Sequence, residues 1–172
     1  MDQGYPFIFQ MNDKSYSDDL LEYTMQYRFT STKSKHKYIV RVEKYVEHSY
    51  CVKFFDKANM LSDNKFSLRT GTFEPRTIVY TVLSIMFDVL KKDGLASFFF
   101  IGAEDEKDEP GASTRRFRFY RVFVLSVIGD ERFWHFRIDK QSLYILVNKN
   151  YPGDVQSYVN RIAEKVIEQM NP

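Results

Sequence analysis

The sequence predicts an α+β fold: a single domain over 1–172 with a largely antiparallel, twisted sheet of about six to eight strands and two or three helices packed mainly on one face. Three observations carry this expectation. Short runs with strict period-two alternation fill the first third of the chain, the pattern of an antiparallel sheet with one buried and one wet face. At Gly71 the apolar period changes to that of a helix, and a second amphipathic helix pattern closes the chain over 154–170. No βαβα alternation, internal repeat or linker-like boundary calls for a doubly wound parallel sheet or a second domain.

Taken in order, YPFIFQ at 5–10 reads as a short extended segment, with Pro6 restricting it to a strand start or an edge. Residues 12–19 are polar and turn-like. Over 23–30, Tyr23, Met25, Tyr27 and Phe29 alternate with Thr24, Gln26, Arg28 and Thr30, which predicts a half-buried strand. The polar run TSTKSKHK leads to a second alternating strand over 38–46, with Tyr38, Val40, Val42 and Val46 inward and Arg41 and Glu43 outward. A turn at Glu47–Ser49 then makes the best hairpin of the chain, to a strand over 50–55 with Tyr50, Val52 and Phe54 as its apolar set. Residues 57–65 read as a loop and Phe66–Thr70 as a weaker strand.

Pro75 suits the first turn of a helix, with Thr72 or Glu74 near its cap. Ile78, Val82, Ile85, Met86 and Val89 form one apolar stripe, and Lys91, Lys92 and Gly94 give the basic-then-glycine ending that helix C-termini prefer. The run 96–101, with three consecutive Phe, is too apolar to alternate and reads as a central strand. Phe133–Ile138 places Trp134, Phe136 and Ile138 on one face, with His135 and Arg137 on the other, and pairs across DKQS with Leu143–Val147. The closing helix puts Val155, Tyr158, Val159, Ile162, Val166 and Ile167 on its stripe. The expected order is β, β, β, β, α, β, α, β, β, α.

Between the central strand and the second hairpin lies the most unusual stretch, GASTRRFRFYRVFVLSVIG at 111–129. Read as a helix, it is capped by Ser113 or Thr114. Arg115, Arg118 and Arg121 share a face continued by Leu125, while Phe119, Val122, Phe123 and Val127 turn toward a core. Read as a strand, it would align Phe117, Phe119 and Arg121 and bring a charge onto the apolar side. The helix is the favoured reading.

Composition bounds the function classes. The chain is 44% apolar and 17% aromatic, with 16 Phe and 12 Tyr, so 172 residues can bury a core without metal or disulfide. A single cysteine, Cys51, forbids an internal disulfide and suits a reducing compartment. The start MDQGYPFIFQ lacks the basic and long apolar regions of a signal peptide. The most apolar window, Ile78–Leu90, contains Thr81, Ser84 and Asp88 and is too short to span a bilayer. These features lead to the expectation of a cytoplasmic protein without a membrane role. A net charge of +2 exerts no global pull on nucleic acid or anionic lipid, so any basic contact surface is local.

The segment Arg116-Phe-Arg118-Phe-Tyr120-Arg121, preceded by Ser113, has the spacing R-x-R-x-Y-R, and an apolar helix of the type TVLSIMFDVLKK precedes it. Over about residues 23–147 this resembles a group of short bacterial proteins with a domain of unknown function, which run strands, helix, strand and then a Ser/Thr-capped R-x-R-x-Y-R segment. The chain departs from that group in lacking glycine-rich, acidic turns between its strands. The resemblance implies a fold and a bacterial origin; it carries no activity.

The candidate contact residues are Arg115, Arg116, Arg118, Tyr120 and Arg121, because guanidinium forks suit phosphates and carboxylates alike. The competing reading pairs the arginines with the acidic loop before them (Glu104, Asp105, Glu106, Asp108 and Glu109) or leaves them solvated. A covering loop would make the surface self-masking. Lys33, Lys35 and Lys37 form a secondary basic stretch, and arginines interleaved with aromatics are ingredients of a single-strand nucleic-acid platform. No RNP-type, helix-turn-helix or zinc-finger pattern accompanies them.

No metal or cofactor is expected. His36, His48 and His135 lie far apart, no C-x-x-C or H-E-x-x-H spacing occurs, and the acidic loop lacks the glycine spacing of a calcium loop. Asp105-x-Lys107 has the look of a nuclease carboxylate–lysine pair, but no upstream strand Asp completes it. Arg41 and His48 fit a helical ribonuclease spacing but flank a strand and a turn. His135 reads as an exposed strand histidine and Cys51 as an inert thiol. No catalytic residue is nominated.

The expected function is therefore a non-enzymatic bacterial module that binds another macromolecule, foremost a protein, of the kind found in defence or toxin–antitoxin systems. An RNA- or single-stranded-nucleic-acid-binding protein is the alternative, and a nuclease or hydrolase with a dispersed site is the third. Aromatic abundance permits a homodimer.

Overall fold

The computed structural model describes residues 4–15, 21–60, 75–102 and 114–170, with the side chains of 115, 116, 169 and 170 also outside the description. The fold is α+β: among the described residues there are seven strands, mostly antiparallel, and three α-helices, in the order that the hydrophobic periods predict. The chain divides into two compact units, Met1–Ala96 and Ser97–Pro172.

In the first unit, β1 (Phe7–Asp13), β2 (Leu21–Thr30), β3 (Lys37–Tyr45) and β4 (Ser49–Asp56) form an antiparallel meander. The alternation read over 23–30 holds from Met25 onward, where Met25, Tyr27 and Phe29 are buried and Arg28 and Thr30 are exposed, but at its start Thr24 is buried and Tyr23 only half-buried. β4 is buried on both faces, with Tyr50, Cys51, Val52 and Phe55 all covered, which erases its alternation. The β3–β4 turn carries Glu47 and His48 at φ 58° and 59°. Two successive left-handed residues within this three-residue connection bend the chain with the hand that the strand twist favours. Val46, expected inward, enters that turn and is 39% exposed.

Helix α1 (Pro75–Lys92) starts at the proline and buries the predicted stripe of Ile78, Val82, Ile85, Met86 and Val89. It docks on the meander through polar contacts as well as apolar ones. Tyr5 N donates to Thr81 Oγ1 at 2.8 Å, Tyr27 Oη donates to Asp88 at 2.8 Å and Tyr50 Oη donates to Asp93 at 2.7 Å. The expected strand at Phe66–Thr70 and the cap at Thr72 or Glu74 lie outside the described residues.

In the second unit, β7 (Leu143–Asn148) runs antiparallel between β5 (Ser97–Ile101) and β6 (Phe133–Ile138) and is buried throughout. Helices α2 (Arg115–Ile128) and α3 (Val155–Met170) contact it. Asp154 caps α3, accepting from the Ser157 amide at 2.9 Å and the Ser157 hydroxyl at 2.7 Å. Its stripe of Tyr158, Val159, Ile162 and Val166 is buried, but Ile167 is 41% exposed near the helix end. Trp134 is 48% exposed, with the Lys149 ammonium 4.2 Å from its ring.

The start of α2 is tied down unusually closely. Gly102 follows β5, and its Cα sits against the backbone of Phe117. A Cβ there would lie 2.5 Å from Phe117 N and 2.6 Å from Phe117 Cβ. Gly102→Ala therefore forces a backbone shift and should destabilise the protein by about 1–3 kcal/mol, as overpacking does. Urea denaturation of the two proteins checks this; an unchanged midpoint would show that the helix start can move aside.

Candidate functional site

Helix α2 is where the sequence concentrates its candidate residues. Thr114 caps it: Oγ1 accepts from Phe117 N at 3.1 Å and donates to Gly102 O at 2.8 Å. The Thr114 amide donates to Ser142 Oγ at 2.8 Å. The helix phase follows from this anchor. Phe117 is 1% exposed, and Phe123 and Val124 share its buried side. Val122, expected toward the core, is 61% exposed, and Leu125 is 49% exposed. The stretch is apolar on both helical sides, so the sequence pattern alone does not fix which side turns inward.

Arg118 is exposed on the same side as Val122 and Leu125, spaced four and seven residues along the helix. Tyr120 and Arg121 are half-buried. Arg115 and Arg116 open the helix. Glu104, Asp105, Glu106, Asp108 and Glu109 lie outside the described residues, so the proposed masking loop does too.

Arg121 turns toward strand β7. Burial pushes the Tyr144 phenol up to about 12, and the charges of Arg137 and Arg121 oppose that rise. Tyr144 Oη and His135 Nδ1 are 2.5 Å apart, and His135 Nε2 meets the Gly129 carbonyl. A carbonyl only accepts, so Nε2 carries a proton, and in the neutral ring Nδ1 accepts from Tyr144. His135 is thus a half-buried, doubly bonded strut joining the end of α2 to β7, and not the exposed strand histidine the sequence suggested.

The secondary lysines occupy the β2–β3 turn of the first unit, where Lys33, Lys35 and Lys37 are exposed. Buried Ser31 organises that turn, its Oγ accepting from Lys33 N at 3.1 Å and Ser34 N at 2.9 Å. Lys35 takes φ 67°. His36 closes the turn through Asp56 at 2.5 Å.

One constellation escaped the sequence reading. A pocket of about 430 Å³ in the first unit is lined by residues including Tyr23, Lys44, His48, Tyr50, Lys92 and Asp93. Asp93 Oδ2 receives His48 Nδ1 and Tyr50 Oη, each at 2.7 Å, and Oδ1 receives Leu95 N at 3.1 Å. Burial pushes the Asp93 carboxyl up, but these hydrogen bonds and the His48 ring outweigh it and hold the carboxyl below its ordinary range. Burial, followed by the neighbouring Asp93, raises the Tyr50 phenol far above its ordinary value. Burial works against the Lys44 charge, but Glu22 at 3.2 Å, with Tyr23, keeps its pKa above the usual lysine range. His48 and Asp93 stand 45 residues apart, so no local spacing announces them.

Cys51 is buried, and burial pushes its thiol up to about 12, which disfavours the reactive thiolate. Arg41 sits on β3, pairing with Asp13 at 2.9 Å, and has no helix in common with His48. Among the described residues there is no group of three or more His, Cys, Asp or Glu placed to hold a metal. Among them, too, no helix is long and apolar enough to cross a membrane. No protein-family model, curated protein or solved structure matches the chain.

The depressed Asp93 carboxyl predicts the sign of an acid effect. A carboxylate whose folded pKa lies below its unfolded value of about 3.9 contributes its full stabilisation above that value and loses it as pH falls through the folded one. Asp93→Asn should cost about 1–2 kcal/mol at neutral pH, the size of lost hydrogen bonds to a charged group. The gap between the two proteins should narrow below about pH 4 in urea melts. A gap that persists unchanged to pH 2.5 or about there would show that the charge of Asp93 is not what matters.

Proposed function

We propose that this protein is a binding module for another protein and that α2 makes the contact. One observation supports this reading above the others: Val122 and Leu125 are exposed beside Arg118 on one helical stripe, while the neighbouring Phe117 and Phe123 are buried. Aliphatic side chains flanked by arginine are the composition of a protein interface centre and its edge. A single-strand platform instead needs exposed rings on which bases stack. Here one of the three rings between the arginines, Phe117, belongs to the core, and the other two, Phe119 and Tyr120, are half-buried, so the nucleic-acid reading loses part of its footing. Arg118, with its planar fork, suits a carboxylate on the partner.

The test compares wild type with Val122→Asp/Leu125→Asp and with Arg118→Glu/Arg121→Glu, after circular dichroism shows that all are folded. Affinity capture from the native host should recover a protein with wild type. Each variant should weaken its affinity by about thirtyfold or more, as loss of an interface hot spot does. Recovery of nucleic acid with a steep salt dependence would move the reading to the alternative. Light scattering that shows a dimer lost in the variants would make the partner a second copy. Undiminished capture by both variants would remove α2 from the function.

A further inference from the structure

We propose that the pocket of the first unit is a binding site for a small phosphate monoester, held by Lys44, His48 and Lys92. This rests on the pocket alone and not on the α2 reading. Its volume of about 430 Å³ falls in the range of small-molecule sites, and its wall combines polar groups with the apolar surfaces of Phe9, Met25 and Val89.

The ligand class follows from counting donors and acceptors. The pocket's carboxylate, Asp93, already accepts at both oxygens, from His48 and Tyr50 at Oδ2 and from Leu95 N at Oδ1. As a carboxylate held in its charged form it has no proton to give, so His48 Nδ1 carries the hydrogen between them. Asp93 thereby fixes the imidazole, and among the described residues Nε2 has no protein partner. Lys44 reaches Glu22 at 3.2 Å, and Lys92 reaches Tyr27 Oη at 3.2 Å and Asp88 at 3.5 Å. An ammonium has three donors, so both lysines keep hydrogen-bonding capacity for a ligand. Asn12 and Tyr23 also line the pocket and can both donate and accept, so the two ammonium groups tip this wall toward an excess of donors, which selects an oxyanion.

The fixed imidazole selects phosphate among oxyanions. A phosphate monoester has its second pKa near 6 and near neutrality exists both with and without its last proton. As the monoanion it donates P–O–H to the Nε2 lone pair while the lysines take its other oxygens. Sulfate and simple carboxylates are fully ionised at neutral pH and offer the lone pair no hydrogen. The ester's organic group meets the Phe9 ring, which is 40% exposed.

Phenyl phosphate, inorganic phosphate and sulfate, titrated separately into the full chain at neutral pH, test this through the ¹⁵N resonances of the imidazoles. His48 is assigned by its disappearance in His48→Gln. Phenyl phosphate should move His48 Nε2 and bind more tightly than inorganic phosphate, and both should bind more tightly than sulfate. Lys44→Gln should weaken phenyl phosphate about tenfold or more, the size of one charge-assisted hydrogen bond. Arg118→Gln on α2 should leave binding unchanged. An unmoved His48 resonance, movement confined to His36 or His135, or sulfate binding as tightly as phosphate would each overturn the assignment. Should Lys44→Gln fail to fold, the wild-type comparison of phosphate with sulfate decides alone.

Discussion

The Thr114 side chain fixes how the arginine helix is presented. Its hydroxyl serves two backbone partners at once, accepting from the Phe117 amide and donating to the Gly102 carbonyl, in a place only 5% exposed. The Ser142 hydroxyl accepts from the Thr114 amide, and the Ser142 carbonyl accepts from Gly102 N at 2.9 Å. The end of β5, the start of α2 and the β6–β7 turn thus meet in one buried set of hydrogen bonds. Each donor satisfied there would otherwise carry the cost of a buried unpaired group. Ser142 holds φ 50° in that turn, a conformation a serine adopts only when its surroundings impose it. The rotation of α2, and with it the exposure of Arg118, Val122 and Leu125, follows from these bonds and from Phe117 lying against the bare Cα of Gly102.

A different constraint organises the first unit. Asp88 lies in the last turns of α1 and Asp93 just beyond its end, where the helix dipole disfavours negative charge. Tyrosines from the meander answer this: Tyr27 donates to Asp88 and Tyr50 to Asp93, and burial with the adjacent carboxylates raises both phenols above their ordinary range. Lys92 joins from the helix itself, over the Phe9 ring at 3.9 Å. Part of the high tyrosine content is therefore structural in a specific sense: phenols hold carboxylates at the wrong end of a helix. The pocket and its fixed histidine are a consequence of that arrangement.

Much of the architecture was legible in the sequence because it depends on period. β2, β3 and α1 show much of their buried set in their spacing, and Pro75 and Lys91–Lys92 mark helix ends by local chemistry. The helical state of α2 was legible from its cap, but its rotation was not. Val122 and Phe117 are both apolar, and only the close approach to Gly102 makes the second of them the buried one. His135 looked exposed because alternation on β6 says nothing of Gly129 or Tyr144, its two partners. The His48–Tyr50–Asp93 group was invisible for the same reason: tertiary contact joins a hairpin turn to a helix end.

The presentation of α2 depends most directly on its anchor at Thr114, and hydrogen exchange measures that anchor. In wild type the α2 amides from Phe117 to Val124 should be protected together. Thr114→Val keeps the side chain's shape and removes both hydroxyl bonds. It should speed exchange across those amides by about tenfold, corresponding to roughly 1–2 kcal/mol for a lost cap, and leave β2, β3 and β4 as they were. Equal protection of α2 in the two proteins would contradict the account.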